Sequence, residues 1–104
     1  MTHELQPLRI PIGWSVEYND FHAIDQDDPE AWHWWKDTLL QLKHARRDRL
    51  LDLSWHPPDD GEGSYRVRLY AGDFTGTELE LFESRDRHEV VAAIERMLDD
   101  VNRR

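Results

Sequence analysis

Asp52, Ser54 and His56 bring the three residue types of a nucleophilic triad onto alternate positions, which share one face if the segment is a strand. A serine nucleophile also needs an exposed, strained elbow and donors for the oxyanion, and neither has a trace in the sequence. Leu51, Leu53 and Trp55 interleave with the three. The pattern therefore predicts a strand with an apolar core face and a polar solvent face. Six histidines raise metal or acid–base chemistry. His33 and Asp37 are spaced i,i+4, which would set an imidazole beside a carboxylate on a helix. A second imidazole would have to arrive from His3, His22 or His56 through the fold, and no H-E-x-x-H spacing occurs. Cysteine is absent, which removes thiolate catalysis, disulfides and cysteine-based zinc sites.

Asp73-Phe74-Thr75-Gly76-Thr77 resembles the D-K-T-G-T phosphorylation motif of P-type ATPases and, more distantly, the nucleophile loop of haloacid dehalogenases. That resemblance implies an aspartate attacking phosphate, magnesium held by further carboxylates, and a loop at the end of a parallel sheet. Here Phe74 replaces the lysine, no second acidic loop with glycine appears, and the chain is too short for such a sheet. A glycine-containing turn between two antiparallel strands accounts for the same five residues. Asp25-Gln26-Asp27-Asp28 hints at a calcium loop, but an EF-hand requires Gly at its sixth place and Glu at its twelfth, where this chain has Glu30 and Lys36. Lys43, Arg46, Arg47 and Arg49 form a small basic cluster suited to a solvated hairpin tip. No catalytic residue, cofactor or metal ligand is assigned, and an enzyme is not expected.

What remains is charge. Between positions 17 and 30 lie six carboxylates, Glu17, Asp20, Asp25, Asp27, Asp28 and Glu30, with no Lys or Arg among them. Tyr18 and Phe21 sit inside the run, and Trp32, Trp34 and Trp35 follow it. A concentrated negative field beside large rings suits docking onto a basic protein, the field steering the encounter and the rings anchoring it. The chain carries 22 acidic and 13 basic side chains, a formal charge of −9, which opposes DNA, RNA and anionic membrane surfaces. On a helix, Trp34 lies about 160° from Trp32 at ~100° per residue, off the apolar stripe. The expected partner-binding set is therefore the six carboxylates with Trp34.

One hundred and four residues make a single domain able to remove over ~60% of its unfolded surface from water. Residues 1–8 lack pattern and read as a loose arm. Trp14, Val16 and Tyr18 alternate with polar neighbours as a strand does, with Gly13 ahead of them. Asp28-Pro29-Glu30 carries the signature of a helix start. Trp32, Trp35 and Leu39 then share a face, and the helix either ends near Asp37, giving way to a strand over 38–43, or runs on to about Arg46. In the first, preferred reading, residues 44–48 form a hairpin loop and Leu51, Leu53 and Trp55 line the returning strand, closed by His56-Pro57-Pro58. Tyr65, Val67 and Leu69 mark the next strand, residues 77–83 another with Leu79 and Leu81 on one face. Ser84 is placed to cap a final helix striped by Val90, Val91, Ile94, Met97, Leu98 and Val101. Strand spacings are too short for helical crossovers, so the chain is α+β: an antiparallel sheet of four to five strands, with an N-terminal-half helix and a C-terminal helix on one face. No segment reaches the ~20 apolar residues of a membrane span. No signal-peptide core appears in the first twenty positions, so a cytoplasmic protein is expected.

Residues 10–14 (IPIGW), 51–57 (LDLSWHP), and 82–86 (FESRD) leading into 89–94 (EVVAAI) together resemble small acidic bacterial immunity proteins of polymorphic or contact-dependent toxin systems. The resemblance implies an α+β, cytoplasmic protein that blocks a toxin's active site stoichiometrically. The leading expectation is thus a non-enzymatic domain neutralising a basic partner. A housekeeping interaction or regulatory domain comes second, and a small hydrolase or metal-dependent enzyme third.

Overall fold

The computed structural model describes residues 4–103. Five strands, β1 (Trp14–Asn19), β2 (Leu40–His44), β3 (Arg49–His56), β4 (Ser64–Ala71) and β5 (Glu78–Ser84), form one antiparallel sheet in sequence order, and helix α1 (Arg87–Asn102) crosses one of its faces. The fold is α+β.

Alternation sets the register. Leu40 stands opposite Leu53, Leu42 opposite Leu51, Leu53 opposite Val67 and Trp55 opposite Tyr65, so one face collects nearly every large aliphatic residue of the central strands. A one-residue slip would turn all of them to solvent, which pins the pairing. Helix α1 closes that face with Val90, Ile94, Met97, Leu98 and Val101, all buried against it. Each such side chain contributes about 1.5–3 kcal/mol on full burial. Its far end is tied down by the Trp14 indole, which donates to Leu98 O at 3.3 Å, and by Asn102, whose Oδ1 lies 2.9 Å from His44 Nε2. His44 Nδ1 accepts from Arg47 N, so the proton sits on Nε2. Gly13 has φ of +98°, and a Cβ there would meet the His44 ring, so this entry into β1 calls for glycine.

Several sequence expectations change. The helix predicted from Pro29 is a single 3-10 turn, Ala31–Trp34. Asp28-Pro29-Glu30 does start a turn, with Asp28 Oδ1 accepting from Glu30 N at 2.9 Å. The bonds that follow run i to i+3, and the sheet then takes the backbone away. Trp35 O accepts from Asp59 N, Lys36 O from Trp55 N, and Leu39 N donates to Leu53 O, each at 2.8 Å. With its carbonyls claimed by β3 and the loop after it, the segment cannot propagate a helix. The final helix is capped by Asp86, whose carboxylate accepts from His88 N and Glu89 N, rather than by Ser84. In β1 a bulge between Val16 and Tyr18 sets Tyr18 opposite Gln41 and leaves only Trp14 buried. Of the loose arm expected over residues 1–8, residues 1–3 lie outside the described residues, and residues 4–8 are tied to the body together with 9 and 10. Gln6 N donates to Phe21 O, Ala23 N to Glu4 O and Arg9 N to the Glu95 carboxylate, while Leu8 and Ile10 pack on the core.

Candidate partner-binding surface

Residues 20–39 leave β1, cross the same face as α1 and re-enter the sheet as β2. Asp20 N donates to Leu39 O at 2.7 Å and closes the base of this excursion. Phe21 is its plug, 1% exposed and edge-on to Tyr65 at 5.8 Å. Ile24 and Ala31 of the same excursion are also buried. Phe21, one of the rings inside the acidic run, is spent on the core. Turning these apolar side chains inward leaves Asp25, Asp27 and Glu30 exposed, with Asp20 and Asp28 half-buried.

Two of the six carboxylates carry cation partners from outside the run. Glu17 is exposed on β1 at the bulge. Asp20 holds Lys36 at 2.5 Å, and this hydrogen bond raises the lysine's pKa despite some desolvation. Asp25 is paired with Arg87 at 3.1 Å, and Arg87 also reaches Gln6. Asp28 is engaged in the turn before Ala31. Asp27 lines a cleft of about 220 Å³ with Asp25, Gln26, Asp86, Arg87 and His88. The cations that temper the run come from Lys36 and from the helix start, which a count confined to positions 17–30 misses.

The tryptophans exchange roles. Trp34 is half-buried, packed on the core and 4.6 Å from the His22 ring. The exposed ring is Trp32, 57% accessible and stacked on His33 at 3.7 Å. Its burial was expected from a 3.6-residue period that a single 3-10 turn does not have. Trp35 stacks on Trp55 at 5.9 Å. His22 Nδ1 donates to Asp20 O at 2.9 Å, which fixes that imidazole under Trp34. His33, whose i,i+4 spacing would set it beside Asp37 on a helix, instead has its ring against those of Trp32 and Trp34.

The remaining chemical signals resolve structurally. Asp52 and Ser54 share the face opposite α1, but Asp52 takes its partners from neighbouring strands. Gln41 hydrogen-bonds it and Arg68 lies across from it, while burial, the larger influence, pushes its pKa up to about 6. Asp73 Oδ1 accepts from Thr75 N at 2.8 Å and Thr75 Oγ1 at 2.6 Å, and these bonds hold its pKa below the usual range. A Cβ on Gly76 would run into Ala71 O, so the glycine serves the turn between β4 and β5. Among the described residues no three His, Asp or Glu side chains converge as metal ligands, and no helix is long and apolar enough to cross a membrane.

Scanned against protein-family models, the chain matches none. Comparisons with curated proteins and with solved structures find no match either. The functional reading therefore rests on the surface itself: an exposed indole flanked in the chain by Asp27, Asp28 and Glu30, in an excursion whose other large apolar side chains, Phe21, Ile24, Trp34, Trp35 and Leu39, are buried or half-buried.

Proposed function

We propose that this chain is a non-enzymatic protein-binding domain that neutralises a basic partner in the cytoplasm, in the manner of a toxin immunity protein. The observation that carries the reading is Trp32, an indole 57% exposed beside a carboxylate-rich segment. Trp is among the residues most enriched at binding hot spots. The formal charge of −9 adds long-range steering toward a cationic surface. Trp32 replaces Trp34 as the proposed anchor, with Asp27, Asp28 and Glu30 as its near rim and Glu17, Asp20 and Asp25 contributing to the wider field. The resemblance to immunity proteins supplies the class of partner. The test is a binding and inhibition assay between this chain and the protein encoded beside it, with Trp32→Ala as the control. A stoichiometric complex that loses affinity in the variant supports the reading.

A further inference from the structure

We propose that the outer edge of β5 and the adjoining flank of α1 form an isologous interface with a second copy of this chain. This surface is separate from the acidic excursion and goes beyond the partner-binding reading.

Strand β5 ends the sheet, and among the described residues no strand pairs with its outer edge. The other edge, β1, is broken at its middle by the bulge, whereas β5 offers Glu80, Leu81, Phe82, Glu83 and Ser84 in unbroken register with β4. That run has no Lys and no Pro, two common guards of an edge strand. Leu81 is 43% exposed on it. Beside the run, between β5 and α1, lies an apolar cleft of about 310 Å³ lined by Phe82, Ala92 and Ala93, with Glu89 and Arg96 at its ends.

Helix α1 passes β5 in the opposite direction. Glu89 accepts from Ser84 Oγ at 2.6 Å, Ala92 and Ala93 lie by Phe82, and Arg96 pairs with Glu80. Phe82 and Ala92-Ala93 are therefore the midpoints of two parallel rows with opposite charges at their ends. A two-fold axis through that midpoint pairs the strands antiparallel and the helices antiparallel at once. It places Phe82 against Phe82 of the second copy, Leu81 against Glu83, and Glu80 against Ser84. Within the run no like charges face each other, whereas axes through Glu80 or Glu83 would set a carboxylate against itself, and one through Leu81 would leave the helix rows off their Ala92-Ala93 midpoint. On the helices the same axis brings Glu89 of one copy to Arg96 of the other, twice. The small side chain of Ala92 allows the close approach. Register, charge and side-chain size select one occupant, a second copy.

Sedimentation equilibrium of the full chain tests this. The expected mass is twice the 12.5 kDa of one chain, at concentrations from micromolar to millimolar. Ala92→Glu sets like charges at the axis, and dissociation should weaken the dimer by at least ~100-fold. Ala92 is exposed in the single chain, so circular dichroism should report an unchanged fold. Glu89→Arg alone and Arg96→Glu alone should each be impaired. An equimolar mixture of those two variants should dimerise, because each contact then joins a cation to a carboxylate. A wild-type monomer at millimolar concentration overturns the proposal. So does a dimer indifferent to Ala92→Glu, or a mixture that stays monomeric.

Discussion

Asp52 of β3 stands directly opposite Arg68 of β4 on the sheet face that α1 leaves open. The row continues through Gln41 to Tyr18 on one side and to Leu81 on the other. Flanking side chains cover the carboxyl so well that only 6% of Asp52 remains accessible, although no helix lies over it.

Burial makes Asp52 a liability above acid pH. Its folded pKa is raised from 3.8 to about 6, so between those values the unfolded chain ionises first. Its favourable contribution is complete below pH ~4 and is lost as pH rises through about 6, where the native carboxyl is forced to ionise. Asp52→Asn keeps an acceptor for Gln41 without the charge. It should stabilise the protein at pH 7 by about 1–3 kcal/mol relative to its effect at pH 4. Urea titrations of both proteins across pH 4–7 check this, and a difference independent of pH would contradict it.

Asp86, rather than Ser84, caps α1. Asp86→Ala should therefore cost about 0.5–2 kcal/mol. Ser84→Ala should cost less, since Ser84 Oγ only supports Asp86 N and Glu89. Thermal melts of the two variants give the order, and a larger loss from Ser84→Ala would reverse the assignment.

Trp55 and Trp32 mark the extremes of the tryptophan set. Trp55 is 1% exposed and its indole donates to Asp60 O at 2.8 Å. Trp55→Ala should cost about 3–5 kcal/mol, and Trp32→Ala should stay within about 1 kcal/mol. Equal losses in denaturant titrations would mean that the Trp32 ring is packed.

Gly76 makes the Asp73-Phe74-Thr75-Gly76-Thr77 segment a turn. Any side chain at 76 meets Ala71 O, so Gly76→Ala should lower stability by about 1–3 kcal/mol. A neutral outcome in thermal denaturation would remove the steric reason for the motif.

The sheet was legible because its information is local and repeated. Leu51-Leu53-Trp55 and Tyr65-Val67-Leu69 alternate without interruption, and Val90, Ile94, Met97, Leu98 and Val101 keep one helical stripe. The errors lie where tertiary hydrogen bonds override local signals. The Asp28-Pro29-Glu30 start is real, but Trp35 O and Lys36 O are captured by distant donors, which the segment's own residues cannot announce. Losing that helix inverted the expected exposure of Trp32 and Trp34. Likewise, the cations that pair with Asp20 and Asp25, Lys36 and Arg87, come from outside the run. The bulge in β1 left no mark in the alternation that predicted the strand.

The most direct test of the central claim is the association of this chain with the purified protein encoded beside it, followed by stopped-flow kinetics. The expected result is a one-to-one complex whose association slows as salt rises beyond ~0.15 M while dissociation changes little. Trp32→Ala should weaken that complex by at least ~2 kcal/mol, mainly through faster dissociation. A complex whose association ignores salt and whose affinity ignores Trp32→Ala would contradict the claim, as would no complex at all.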